Sequence, residues 1–216
     1  MPRLFTFTEA GDHPANEDAF VAAPHPADPA CWVVRVADGQ GGRGGGARAA
    51  RLACDTAAAG AFSMRPAELT NAGAWTTILG TADAAVAADP EAGFTTLIGL
   101  AATDRELAGA SVGDSAALLW VGGRVSDLTA RQFKNPPVGS GAADAVPFAA
   151  GLAEPWRLLA MTDGVWKYAG WEKVRAAVTR QAGAGLLAAL RAAARLPGSG
   201  TFPDDFTTVL LEAEEA

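Results

Sequence analysis

Acidic residues that stand beside glycine or beside another acid recur at the ends of apolar stretches, and they are the residues best suited to chemistry. Each position taken alone fits a turn, because Asp and Gly are common turn formers. Taken together, the acids could converge at one end of a folded sheet. The positions are Glu17-Asp18, Asp38-Gly39, Gly113-Asp114, Asp163-Gly164 and Asp204-Asp205.

Carboxylates that share a site repel one another and resist ionisation unless cations compensate their charge. Oxygen ligands without clustered His or Cys favour hard ions such as Mg²⁺ or Mn²⁺ over zinc. Two such ions can activate water near neutral pH and stabilise phosphoryl oxygens. The acidic pattern therefore indicates metal-assisted hydrolysis.

A glycine-rich segment offers a competing hypothesis, because Gly39, Gly41 and Gly44 have the spacing of a dinucleotide-binding fingerprint. That motif requires a second parallel strand after its helix. The sequence instead predicts another helix there, and Asp38 would place a negative charge against a pyrophosphate. Nucleotide binding would have to be independent of divalent ions.

The periodicity of apolar residues predicts an α+β fold, an antiparallel β-sandwich flanked by helix pairs in an αββα order. Short connections between several strands require antiparallel neighbours. Residues 129–154 are rich in Gly, Pro and Ala, and we expect a long irregular surface loop there. Predicted strands cover residues 4–8, 19–22, 31–36, 94–102, 107–112, 116–121, 124–128, 156–161 and 206–212, and predicted helices cover 47–64, 67–88, 171–181 and 185–196.

Length and composition exclude several classes of protein. The chain has 216 residues, of which 50% are hydrophobic and 19% charged, so we expect one folded domain over residues 1–216. A net charge of −7 argues against a nucleic-acid partner. The charge-free stretch of residues 69–82 is too short to span a membrane. The absence of a secretion signal and two cysteines without a metal-binding pattern predict a cytoplasmic protein with reduced thiols.

Six short motifs resemble, in order, the successive motifs of the metal-dependent type 2C protein serine/threonine phosphatases. The resemblance covers nearly the whole chain and implies hydrolysis of phosphoserine or phosphothreonine in a phosphorylated protein. It also implies a β-sandwich flanked by helix pairs, in agreement with the predicted element order. The motifs are Asn16-Glu17-Asp18-Ala19, Asp38-Gly39-Gln40-Gly41-Gly42, Gly93-Phe94-Thr95-Thr96, Gly113-Asp114-Ser115, Thr162-Asp163-Gly164-Val165-Trp166 and Asp204-Asp205-Phe206-Thr207.

The resemblance implies two Mn²⁺ or Mg²⁺ ions that activate a bridging water. Asp38 would be the catalytic carboxylate that bridges the ions, with the carbonyl of Gly39 on one of them. Glu17 and Asp18 match the acidic pair that holds the same ion directly or through water.

Three further aspartates match metal-binding positions of the family. Asp163 and Asp204 would complete the shell of the second ion. Asp114 matches the position associated with a third, weaker ion, which it would share with Asp163.

Two departures from the family pattern bear on activity. Many members carry Arg at the position of His13 to hold the phosphate, and many eukaryotic members carry His at the position of Gln40. Our hypothesis is that His13 binds the substrate phosphate or assists the leaving group; alternatively it caps a turn before Pro14. The replacement of Arg leaves open a catalytically weak regulatory module that binds a phosphorylated partner. The sequence does not indicate an oligomeric state.

Overall fold

Two antiparallel sheets form the centre of the structure, a computed structural model that describes residues 1–12, 14–40 and 44–213. One five-stranded sheet has the order β1-β10-β9-β6-β7 and the other the order β2-β3-β4-β5-β8. The strands are β1 (Arg3–Glu9), β2 (Ala19–His25), β3 (Asp28–Ala37), β4 (Leu97–Ala102), β5 (Glu106–Val112), β6 (Ala116–Val121), β7 (Arg124–Asp127), β8 (Val146–Gly151), β9 (Trp156–Met161) and β10 (Phe206–Glu212).

Helices cover the outer face of each sheet. They are α1 (Gly46–Ser63), α2 (Ala72–Ala87), α3 (Asp163–Ala169), α4 (Trp171–Arg180) and α5 (Gly183–Ala194). Helices α1 and α2 pack on the sheet that contains β3, whereas α3 and α5 pack on the sheet that contains β10. The buried face of α1 is largely alanine, so this helix can lie close to its sheet. These layers confirm the predicted sandwich flanked by helices.

The inner faces of the two sheets bury a common apolar core. Val34, Val36 and Leu100 of one sheet belong to the same buried cluster as Leu158 and Leu211 of the other. Alternate residues of the same strands face the helices, and these include Val33 beneath α1 and α2 and Leu159 beneath the other helices. Both faces of each sheet are therefore packed, which explains the nearly continuous apolar runs in the central strands.

Three predictions of local structure were wrong. Residues 129–154 are not wholly irregular, because they contain β8, which pairs with β5; its Ala, Pro and Gly residues conceal the strand signal. The second helix begins at Ala72, after a separate 3₁₀ turn at Pro66–Glu68, and the Asn71 side chain caps it. Helix α3 was missed because Asp163-Gly164 is a typical turn sequence.

The nucleotide-binding hypothesis lacks its supporting fold. Helix α1 leads into α2, and the chain then returns through β4, which is antiparallel to β3. The segment therefore has no parallel β-α-β unit, which the fingerprint requires. Gly41, which the motif also needs, lies outside the described residues.

Two further expectations concern the thiols and the membrane. Cys31 and Cys54 are both free and buried, as predicted. Across the described part of the chain, no helix is both long enough and apolar enough to cross a bilayer.

Candidate active site

The acidic motifs meet at one end of the sandwich. The register pairs Ala19 with Ala37, and it pairs Met161 with Thr208. Residues just beyond these pairs therefore emerge at the same end of the strands. A cavity of about 160 Å³ opens there. Its lining residues are Glu17, Asp38, Gly39, Gln40, Thr95, Thr96, Asp114, Lys134, Asn135, Pro137, Asp163, Asp204 and Asp205.

Asp38 follows the end of β3, and two threonines fix its backbone. The Thr96 hydroxyl accepts a hydrogen bond of 2.9 Å from the Asp38 N–H, and the Thr95 hydroxyl donates one of 2.8 Å to the Asp38 carbonyl. Burial, reinforced by the neighbouring carboxylates of Asp18, Asp163, Asp204 and Asp114, raises the pKa of Asp38 to about 9. This carboxyl thus lies in the part of the site where compensating positive charge is most needed.

Gly39 is required by close packing. A Cβ at this position would lie 2.5 Å from the backbone carbon of Gly46 and 2.6 Å from the carbonyl oxygen of Glu17. The Gly39 N–H also donates to that Glu17 carbonyl over 3.2 Å. The glycine therefore joins the loop before β2, the end of β3 and the start of α1.

Asp18 is half-buried and does not itself line the cavity. Its Oδ2 accepts a hydrogen bond of 2.8 Å from the Thr162 hydroxyl, while its Oδ1 is buried without a partner among the described residues. Burial raises the pKa of Asp18 to about 7, against hydrogen bonds from Thr207 and Thr162 that lower it. The unsatisfied oxygen marks a place where a cation or water would be stabilised.

Asp205 shapes the site by holding backbone. Its Oδ1 accepts a hydrogen bond of 2.8 Å from the Gly11 N–H, and its Oδ2 accepts one of 2.6 Å from the Glu17 N–H. The side chain therefore fastens the loop between β1 and β2 to the start of β10. The sequence places Asp205 in a motif but indicates no role for it, because a carboxylate that orders backbone has the same local signature as a ligand.

Asp163 and Asp204 come together because α3 begins directly after β9. Asp163 is in the first turn of α3, and burial together with the charge of Asp114 raises its pKa. Lys167, one turn later, places its Nζ 3.6 Å from Oδ2 of Asp163 and 3.7 Å from Oδ2 of Asp204. Gly164 is needed between them, since a Cβ there would lie 2.0 Å from the carbonyl oxygen of Asp205.

Asp114 also lines the cavity, from the turn between β5 and β6. Its Oδ2 is 2.7 Å from Nζ of Lys134. The Trp166 indole donates a hydrogen bond of 3.0 Å to the Asp114 carbonyl, which ties this turn to α3. Lys134, Asn135 and Pro137 line the cavity from the 129–154 segment, and no sequence signal had indicated them.

The carboxylates surround the cavity without forming a compact metal cluster. Within the described ranges, no group of three or more His, Cys, Asp or Glu side chains is arranged to hold an ion. Gln40 lines the cavity as expected from its motif. His13 lies outside the described residues, so its predicted roles have no structural counterpart here.

The two-sheet sandwich and the acidic cavity at its end together define a class of protein. Comparison of the chain with known families and solved structures identifies this class. The sequence model described as protein phosphatase 2C matches residues 10–196. The chain therefore belongs to the protein phosphatase 2C family.

Solved structures share the fold at low sequence identity. The catalytic domain of the serine/threonine phosphatase PstP, in complex with two manganese ions, has a TM-score of 0.82 at 18% identity, with 99% of each chain covered. The Mycobacterium tuberculosis phosphatase PstP/Ppp has a TM-score of 0.81 at 20% identity, again over 99% of each chain. Stp1 from Staphylococcus aureus has a TM-score of 0.78 at 17% identity, over 100% of this chain and 96% of its own. A search of the curated proteins found no match.

Proposed function

We propose that this chain is a metal-dependent phosphatase that hydrolyses phosphoserine or phosphothreonine in proteins. The observation that carries the proposal is the convergence of Asp38, Asp163, Asp204 and Asp114 on one cavity. Membership of the protein phosphatase 2C family supports the same reaction class. The manganese ions named for the PstP catalytic domain support a divalent cofactor.

The residues present fit hard divalent ions, although their side chains surround the cavity rather than cluster at one point. Six of the residues that line the cavity are Asp or Glu, whose carboxylate oxygens are ligands that Mn²⁺ and Mg²⁺ prefer. Two features favour a cation here: the raised pKa of Asp38, and the Oδ1 of Asp18, which has no hydrogen-bond partner among the described residues. We assign the ions to Glu17, Asp18, Asp38, Gly39, Asp114, Asp163 and Asp204.

When bound, two such ions would supply Lewis acidity, lowering the pKa of water and neutralising phosphoryl oxygens. The protein contributes the fixed positions of its ligands. Thr95 and Thr96 hold Asp38, Thr162 holds Asp18, and Asp205 holds the backbone of Glu17. Such pre-organisation avoids rearrangement of the ligands during the reaction.

His13 remains part of the proposal as a residue that binds the phosphate or protonates the leaving group. Replacement by Arg and by Ala separates these roles. Arg would preserve phosphate binding but could not act as an acid near neutral pH, and Ala would lose both properties.

The test is hydrolysis of p-nitrophenyl phosphate and of a phosphothreonine peptide with Mn²⁺, with Mg²⁺ or with chelator. We expect turnover by the wild type that requires the metal and that Asp38→Asn abolishes. Asp104→Asn, in an exposed turn remote from the cavity, is the matched control and should retain activity. Turnover in chelator would exclude the metal mechanism. Binding of the phosphopeptide without turnover would instead identify the regulatory module.

A further inference from the structure

Lys134 differs from every other described residue that lines the cavity, because it alone is cationic. Its Nζ lies 2.7 Å from Oδ2 of Asp114, a distance typical of a charge-assisted hydrogen bond. The Asp114 carboxylate is mostly shielded, with 23% of the side chain exposed. Asp163 lines the same cavity as Asp114 and Lys134.

The backbone that carries Lys134 is docked on both sides of the lysine. The Gln132 side-chain amide donates a hydrogen bond of 2.6 Å to the Ser115 carbonyl, and the Phe133 carbonyl accepts one of 3.2 Å from the Gly113 N–H. On the other side, Val138 exchanges backbone hydrogen bonds of 3.1 and 3.0 Å with Thr95. The lysine is therefore brought to Asp114 by fixed backbone.

We propose that Lys134 is a built-in cation that competes with a divalent ion for the Asp114 side of the cavity. This inference rests on the metal site proposed above. An ion that binds Asp114 must displace the ammonium or share the carboxylate with it. Either event makes binding on this side weaker than the carboxylates alone would allow, because like charges in a shielded site repel. Binding beside Asp114 is therefore weaker in this chain than it would be without the ammonium of Lys134.

Lys167 provides an internal comparison. It approaches Asp163 and Asp204 only to 3.6 and 3.7 Å, longer than the contact that Lys134 makes. Both lysine side chains are substantially exposed, 65% for Lys134 and 48% for Lys167, so the two differ in how closely the ammonium approaches a carboxylate. Its removal should therefore affect ion binding less than removal of Lys134.

The experiment is a titration of the full chain with Mn²⁺. Binding is measured by calorimetry and by electron paramagnetic resonance of the free ion. We expect Lys134→Gln to bind its weakest Mn²⁺ at least about fivefold more tightly than the wild type, or to bind one additional ion. Lys134→Arg, which keeps the charge, should resemble the wild type. Lys173→Gln, an exposed lysine on α4, is the matched control and should not change the titration.

A second variant assigns the effect to the correct carboxylate. The double variant Asp114→Asn, Lys134→Gln should lose the gain in Mn²⁺ affinity, because it lacks the carboxylate for which the ammonium and the ion compete. Equal or weaker Mn²⁺ binding by Lys134→Gln overturns the inference, whether or not the enzyme turns over. Tighter binding by Lys134→Gln without any hydrolysis would support the inference while the proposed function fails.

Discussion

The hydroxyl of Thr162 donates a hydrogen bond of 2.8 Å to the carboxylate of Asp18, although 144 positions separate the two residues. The Thr162 hydroxyl oxygen also accepts a hydrogen bond of 3.1 Å from the backbone N–H of Thr207. One hydroxyl therefore links the end of β9, the start of β10 and the loop before β2. Thr162 and Thr207 are buried and Asp18 is half-buried, and all three residues lie at the acidic end of the sandwich.

Removal of this hydroxyl should destabilise the metal-free protein. Thr162→Val keeps the shape of the side chain but leaves the Thr207 N–H and Oδ2 of Asp18 without this partner. We expect a loss of about 1–2 kcal/mol in the free energy of unfolding, the usual cost of stranding buried polar groups. Urea unfolding in chelator measures it. Thr179→Val, at an exposed position of α4, is the control, and equal stability of the two variants would contradict the prediction.

The metal-free protein should become less stable as pH rises from acidic to alkaline values. The pKa values of Asp38 and Asp18 are raised to about 9 and about 7, whereas the unfolded chain titrates near 4. Between these values the folded state binds protons that the unfolded state has released, so stability falls with increasing pH. The stability that these two protonated carboxyl groups contribute is fully present below about pH 4 and is lost as the pH rises to about 9.

Asp38→Asn isolates this effect, because the amide stays neutral throughout. In chelator, the melting temperature of the wild type should fall relative to that of Asp38→Asn by at least about 5 °C between pH 5 and pH 8.5. Excess Mn²⁺ should stabilise the wild type by mass action and stabilise the variant less, because the variant lacks one carboxylate of the site. If the melting temperatures of both proteins in chelator changed equally with pH, this pH dependence could not be assigned to Asp38.

The acids of the site are recognisable in the sequence, but the groups that hold them are not. Asp38, Asp163 and Asp204 stand out because carboxylates beside glycine or beside another acid at strand ends form a repeated local pattern. Asp205 and Thr162 act through contacts between residues far apart in the chain, and a single sequence does not display such contacts. Lys134 is hidden for another reason: the docking of residues 129–138 on Thr95 and Ser115 depends on tertiary packing rather than on local propensity.

The segment that carries Lys134 is also anchored at its far end, by Asp83 of α2. The Asp83 carboxylate accepts hydrogen bonds from the backbone N–H groups of Gly139 at 2.7 Å, Gly141 at 3.1 Å and Ala143 at 3.1 Å. Residues 139–143 contain no helix or strand and are exposed or half-buried, as expected for an irregular surface loop. The buried Asp83 carboxylate nevertheless fixes their backbone to α2.

Replacement of the anchor should loosen this segment. In Asp83→Asn the side-chain NH₂ group would replace one carboxylate oxygen and face a backbone N–H group that needs an acceptor. We expect a loss of about 1–3 kcal/mol in the free energy of unfolding. Hydrogen exchange should accelerate at residues 139–143 before global unfolding. Asp144→Asn, on the exposed surface of the same segment, is the control. Unchanged exchange in Asp83→Asn would show that other contacts hold the segment.

Arg35 presents the opposite situation, a charge that the fold buries without a hydrogen-bond partner. The side chain is 0% exposed, and its three guanidinium nitrogens have no such partner among the described residues. Burial lowers the pKa of Arg35 to about 10, and in the described part of the chain the guanidinium contacts one aromatic ring, that of Phe62, at 5.1 Å. The desolvation cost of such a charge exceeds the attraction of one ring face.

Replacement of this buried charge by an apolar side chain should therefore stabilise the protein. We expect Arg35→Met to raise the free energy of unfolding by about 1–3 kcal/mol, since methionine adapts its shape to the space between β3 and α1. Guanidinium unfolding at pH 7 measures the difference. Arg175→Met, at an exposed position of α4, should change stability by less than about 0.5 kcal/mol. A less stable Arg35→Met would mean that bound water or a shifted acid satisfies the guanidinium in solution.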